Sequence, residues 1–484
     1  MITQNDASTS TAYIISSALF RDPAAWYHIV AIWNTTSATA TATGTTADRL
    51  QLWVNGVQIN SFSSTLIPTQ NTNSFMDSTS VHYQTRYDTV YFDGEMAEVN
   101  FVDGQALLPA SFGASSIYNQ WLPIAYAGTY GTNGFYLPFT NTASTSTLVA
   151  DSSGNANNWT PNNISLTAGS TYDSLTDVPT LTSTTVANYA VLNPLDKDTA
   201  RGTISDANLK FAATAFSTYN AEACRATMGV TTGKWYYEFR GVTQAGIGNA
   251  AISNFTTSTQ NLTAISSFGG TLTNYIGASA SISGNALLFQ SSGYSASLAN
   301  STLFASYASG DVVNIAVDFT AGKIWIGKNG TWYNSGDPGA GTNATSTFTA
   351  PAGYNLPEFE VVTSSDNSNQ SSLTVNFGQQ PFTYTAPSGF LPLNTFNIAA
   401  GTVTTSGTFT GNLSTDGPMV YLNGTPTAMT INGNAVTFGT HADKLANGFK
   451  VRSSSASYNA SGSNTYVATT VAEVLKYENA QPNP

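Results

Sequence analysis

The sequence predicts an all-β protein of tandem β-sandwiches, and three observations carry that expectation. Residues 310–330 alternate apolar and polar positions on either side of a turn bearing Gly322, and turn again at Asn329-Gly330. This is a β-hairpin written in period two, with Asn-Gly supplying the positive φ angles of a tight turn. Only 9% of the 484 residues are charged, while 41% are hydrophobic and 12% aromatic. Soluble proteins carry roughly 25% charged residues; here Ser, Thr, Asn and Gly take their place, and enough apolar side chains remain to bury large cores. Nearly all of the chain outside two short helical candidates, 107–112 and 469–475, reads as short strands between Gly, Asn, Asp, Ser or Pro clusters. That is sandwich-like spacing.

Three blocks emerge, at 1–180, 185–395 and 399–484, with Pro-bearing joins that interrupt the strand pattern. The first contains an aromatic strand at 26–33, a hairpin turning at Asn55-Gly56, and an acidic stretch Asp93-Gly94-Glu95-Met96-Ala97-Glu98 leading into Val99. The second holds the 310–330 hairpin, and the third opens on the Thr-rich segment 401–411.

Charge and cysteine usage narrow the function classes. A net charge of -12 leaves no basic stripe to displace counterions, so no nucleic-acid partner is expected. No apolar run approaches the roughly 20 residues of a membrane span, so no membrane insertion is expected. Met1–Ser10 is polar without a basic start, so no secretory signal is expected. The single Cys224 cannot form an internal disulfide and reads as a small buried hydrophobe.

Two resemblances follow from particular motifs. Trp26-Tyr27-His28, Leu52-Trp53-Val54-Asn55-Gly56 and Phe92-Asp93-Gly94-Glu95-Met96-Ala97-Glu98-Val99 resemble a laminin-G-like, concanavalin-type jelly roll. That family carries several strands before the Trp-Tyr-His position, whereas about twenty-five residues precede it here, so the block is N-terminally short for the family. Gly233-Lys234-Trp235-Tyr236-Tyr237-Glu238-Phe239, Ala245-Gly246-Ile247-Gly248, the 310–330 hairpin and Val375-Asn376-Phe377-Gly378-Gln379-Gln380-Pro381-Phe382 resemble, in order, the strands of SPRY domains, which are β-sandwich binding modules. With the phrases at 101–107, 387–390, 408–418 and 445–450, the whole resembles multidomain virion proteins of tailed bacteriophages, especially marine ones.

Candidate chemistry is sparse. Paired carboxylates for glycoside hydrolysis must face one cleft, roughly 5–5.5 Å apart for retention or 6.5–9.5 Å for inversion. On a regular strand Asp93 and Glu95 share a face and Glu98 points away unless a bulge intervenes, and the order departs from the Glu-x-Asp-x-(x)-Glu pattern of jelly-roll hydrolases, so strand-edge and turn carboxylates are the expected reading. His28, His82 and His441 have no Gly-x-Ser-x-Gly elbow beside them, and no His/Cys cluster suits zinc. Asp151, Ser153 and Asn155 alternate in a Gly-bearing turn whose oxygens suit Ca²⁺, against the commoner reading of an Asx turn satisfying its own backbone. No cofactor is otherwise required. For sugar stacking, the candidates are Tyr83 and Tyr87 before Tyr91, and Trp332 and Tyr333 after Asn329-Gly330, against the reading of packed sandwich-edge residues.

The resemblance implies a virion surface protein, assembled in the host cytoplasm. It implies a non-enzymatic tail fibre or adhesin that binds host cell-surface polysaccharide or protein alongside other virion proteins. A homo-oligomer is expected, with a trimer favoured, because linked copies multiply weak sites. The alternatives are a structural capsid-decoration or tail-assembly component and, third, a glycan depolymerase.

Overall fold

The computed structural model describes residues 2–6, 9–22, 24–39, 44–45, 47–72, 81–87, 89–92, 94–115, 121–168, 171–179, 183–197, 202–213, 220–241, 244–249, 275–281, 286–292, 294–299, 301–308, 310–350, 353–363, 372–398, 402–422, 426–445 and 448–471. It divides into two compact units, Met1–Asn397 and Ile398–Tyr477. Regular structure among the described residues is almost wholly β, as the composition predicts. The 3-10 turn Pro109–Ser111 falls inside the first helical candidate. The second is corrected over 469–471: Thr469, Thr470 and Val471 end the long strand Gly462–Val471, because Thr402–Gly411 and Pro426–Ile431 pair with it on both sides; residues 472–475 lie outside the described residues. Two short helices among the described residues, Thr145–Leu148 and Ala456–Asn459, escaped the sequence reading. Thr145–Leu148 is started by Ser144 and Thr147, whose side chains and backbone N–H groups bond reciprocally.

The largest sandwich lies between 192 and 376. One sheet has seven strands, with Asn355–Thr363 between Asn220–Ala226 and Gln244–Asn249. The facing sheet centres on Lys234–Gly241, which pairs with Val312–Asp318 and Ser372–Asn376. Trp235, Tyr237 and Phe239 face inward from it, paired with Val317, Ile315 and Val313. Tyr237 and Phe359 bring the two sheets together, ring edge on ring face at 6.1 Å. Trp235, Tyr237 and Val317 leave beside them a cavity of about 10 Å³, room for one water at most and no ligand pocket.

The hairpin predicted at 310–330 forms as Val312–Asp318 and Lys323–Lys328. Asn329 and Gly330 have φ of 51° and 75°. Asn329 closes the turn, accepting from Val312 N at Oδ1 and donating from Nδ2 to Asp311. Period two leads one to expect one wet face, but every residue of Val312–Asp318 is buried. The covering layer is the chain after Ser372–Asn376, whose Phe382 and Phe390 pack on Tyr236, Ala316 and Trp325.

In the first block, Ile2–Asp6, Thr9–Ser16 and Phe62–Leu66 form one three-stranded sheet, and Ile29–Trp33, Leu50–Val54 and Val57–Gln58 another. Ala12, Ile14, Leu50 and Leu52 make the core between them, with Trp33 and Phe62 at its margin. Hence the short segment before Trp26 supplies two strands. Trp121 fastens a further hairpin: a β-carbon at Gly56 or at Gly113 would come within 2.4 Å of its ring. Its indole N–H donates to His28 Nδ1 at 3.0 Å, and burial lowers the His28 pKa, so His28 is an acceptor in this packing rather than a base.

In the second unit, Thr402–Gly411, Gly462–Val471, Pro426–Ile431 and Asn434–Ala435 form one sheet. Met419–Tyr421, Gly448–Val451 and Ala442–Leu445 form another. Phe409, Met429, Ile431, Phe449 and Val451 fill its core. Asn459 holds the loops together, donating to Asn412, Ser414 and Ser453 and accepting from Asn412 N. His441 lies in this unit, stacked on Tyr458 at 3.9 Å.

Candidate functional site

The acidic stretch does not lie on a strand. Residues 95–98 are irregular and the strand begins at Val99, because Glu98 takes a φ of 51°, a left-handed conformation uncommon for a glutamate. The regular-strand case therefore does not apply, and Glu95 and Glu98 lie in the irregular stretch before the strand edge; Asp93 lies outside the described residues. Glu95 carries a buried Oε1 with no hydrogen-bond partner, and burial pushes its carboxyl up to about 8. Burial raises Glu98 as well.

Beside them runs a row of half-buried rings that sequence reasoning did not single out. Phe112 meets Tyr126 at 5.0 Å, Tyr126 meets Tyr130 at 5.1 Å, and Tyr130 stacks on Tyr136 at 6.2 Å. Tyr130 donates to Asn100 Oδ1 at 2.7 Å, while Asn100 donates to the Glu98 carbonyl at 3.0 Å. Burial, with the neighbouring Tyr136, Tyr126, Asp151 and Glu98, pushes the Tyr130 hydroxyl up to about 12. The only sequence signal for this row is Tyr126, Tyr130 and Tyr136 among the glycines 128, 131 and 134. Those glycines permit the close backbone approach that folds the loop back on itself: a β-carbon at Gly131 or Gly134 would overlap the carbonyls of Asp103 or Tyr130.

The calcium candidates are brought together, but around the carboxylate's own donors. Asp151 Oδ1 accepts from Tyr136 N and Ser153 N at 2.9 and 2.8 Å; Oδ2 accepts from Ser153 Oγ and Asn157 N at 2.8 and 2.9 Å. Burial pushes Asp151 up, yet these four bonds outweigh it and hold the carboxyl below its usual range. Asn155 turns its amide nitrogen to the carbonyls of Gly131 and Gly134. A cation would have to displace these donors. Among the described residues no three His, Cys, Asp or Glu side chains are grouped to hold a metal. Asp151→Ala is expected to cost about 1–2 kcal/mol, read by urea unfolding. In wild type, a rise in melting temperature on adding CaCl₂ would instead assign a cation to the loop.

The aromatic candidates separate. Tyr83 is 59% exposed and lies near Tyr91 and Phe92 in sequence, which are 68% and 55% exposed. The Tyr87 side chain lies outside the described residues. Trp332 is half-buried against Tyr236, and Tyr333 meets Phe304 edge-on at 6.4 Å, so both are engaged in packing. Cys224 is fully buried and burial raises its thiol, as expected of an inert hydrophobe. Among the described residues no helix is long and apolar enough to cross a membrane.

No protein-family model matches the chain, and no curated protein matches it. Among solved structures, the SPRY domain of human HERC1 is similar at 14% identity and a TM-score of 0.23, covering 38% of this chain and 96% of that one. The TRIM65 PSpry domain is similar at 10% identity and a TM-score of 0.25, covering 39% of this chain and 92% of that one.

Proposed function

We propose that this chain is a non-enzymatic surface adhesin of the phage-virion type, which contacts host surface glycan through aromatic side chains. The observation that carries the reading is the exposure of Tyr83, Tyr91 and Phe92 within one short stretch of the first block. Large rings held out of the core cost solvation free energy, and clustered exposed apolar groups mark interaction sites. The scarcity of charged residues, 9% of the chain, and the motif resemblances described above support the same reading. Oligomerisation, as a trimer, would multiply weak single sites.

Tyr83→Ala is expected to weaken binding of fluorescently labelled full-length protein to capsulated bacterial cells about tenfold, the effect of losing one aromatic anchor. Binding should vanish on cells stripped of polysaccharide and release no reducing sugar. Sugar release would replace the adhesin with a depolymerase and direct attention to Glu95 and Glu98.

A structural virion role is favoured by a different feature. Ile29, Val54 and Val57 lie in register across three strands, and the outer two are 61% and 67% exposed while Val54 is buried. An apolar line of this kind suits contact with a neighbouring protein. Equal binding to intact and stripped cells, or to neither, would move the conclusion to that role.

A further inference from the structure

The second unit carries a surface with its own binding chemistry. In its three-stranded sheet, Met419 pairs with Lys450, Tyr421 with Gly448, and Asp443 with Lys450. Phe449, Val451 and Ala442 are fully buried, and Val420 packs on the same core. Strand alternation therefore sends Met419, Tyr421, Lys450 and Asp443 to the opposite face. Tyr421 is 77% exposed and Met419 54% exposed there, on the edge strand.

The charges around these two side chains are paired. Lys450 Nζ meets Asp416, and Arg452 Nε meets Asp443 at 2.9 Å. Residues 398–477 hold four Lys or Arg and three Asp or Glu, whereas the whole chain holds 15 and 27. The face thus combines an exposed ring, a thioether, and ion-paired donors and acceptors with no net charge.

We propose that this face binds an uncharged polysaccharide, with Tyr421 stacking on a pyranose ring and the Arg452–Asp443 and Lys450–Asp416 pairs hydrogen-bonding its hydroxyls. The inference rests on the adhesin reading and adds a second contact in a separate unit. Charge complementarity selects the occupant. A polyanion would meet the paired aspartates and the field of a chain at net -12, whereas a neutral polyol loses nothing to either. The ion pairs also hold the long cationic side chains in place, which lowers the entropy lost on binding.

Affinity electrophoresis of full-length protein through gels containing dextran, a soluble β-glucan, a galactan or alginate tests this, at low and high salt. At least one neutral polymer should retard the wild type equally at both salt concentrations. Tyr421→Ala should weaken that binding about tenfold, the loss of one stacking anchor, and Tyr421→Phe should keep it. Four results would each overturn the inference: equal retardation of Tyr421→Ala, retention by alginate alone with loss at high salt, no retention by any polymer, or a Tyr421→Ala change in oligomeric state with glycan binding intact. Cell binding lost in Tyr83→Ala but kept in Tyr421→Ala would sink this inference and leave the adhesin reading standing.

Discussion

Glu238→Ala is expected to lower the stability of the first unit by about 3–4 kcal/mol. Glu238 is only 2% exposed. Its Oε1 accepts from Tyr236 Oη and Tyr384 N at 2.8 Å each, and Oε2 accepts from Thr383 N at 2.8 Å. Asn314 Nδ2 donates both to Tyr236 Oη and, at 3.4 Å, to Glu238. This carboxylate ties the covering segment to the outer face of the sheet. Removing it takes the acceptor from the Thr383 and Tyr384 N–H groups and leaves the buried Tyr236 hydroxyl only the longer bond to the Tyr384 carbonyl at 3.4 Å, at about 1–3 kcal/mol for each group left unsatisfied. Glu238→Gln is expected to be milder, since it keeps one acceptor oxygen but sets an amide N–H₂ against a backbone N–H. All eight tryptophans precede residue 398, so tryptophan fluorescence in urea follows the first unit without interference from the second. A loss below about 1 kcal/mol, the size of an ordinary surface change, would show that the segment is held by Phe382 and Phe390 alone.

The second large effect is one of pH. Glu95 is raised to about 8 by burial, so between the ordinary carboxylate range and that value the folded chain keeps a proton that the unfolded chain releases. Unfolding then sheds a proton, and stability falls as pH rises from about 4.5 to about 8, levelling off above. Glu95→Gln is isosteric and uncharged and removes the Glu95 share of this dependence, leaving the smaller one of the same sign from Glu98. The variant should match wild type near pH 4.5 and exceed it at pH 8 by a few kcal/mol, since a tenfold change in proton affinity is worth about 1.4 kcal/mol. Melting temperature measured across that range for both proteins checks the sign. Parallel curves would mean that Glu95 is solvated in the folded state and that the orphaned Oε1 does not persist in solution.

Much of the strand framework was legible in local sequence. Asn55-Gly56 and Asn329-Gly330 do form the predicted turns, because positive φ is a property of those residues and needs no tertiary support. The alternation of 312–318 set the register with Lys323–Lys328 for the same reason. Within the helical candidate 469–475, residues 469–471 are strand, since pairing on two sides overrides the weak local preference of a short segment. For the candidate sites, exposure was the missing quantity. Tyr83 and Trp332 are alike as aromatic loop residues, yet one stands out from the surface and the other packs on Tyr236. The ring row at Tyr126, Tyr130 and Tyr136 went unread because glycine-rich loops show no periodicity, and its assembly depends on contacts with Asn100 and Asp151 from other segments.

By itself, then, the sequence determined the all-β class, the positions of the tight turns and the alternation of the 312–328 hairpin, all set by interactions within a few residues. The tertiary structure decided which faces are covered twice, which aromatics remain at the surface, and that Glu95 holds a buried Oε1 without a hydrogen-bond partner. Those outcomes depend on the desolvation of groups by chain far away in sequence, a free energy that no local pattern carries.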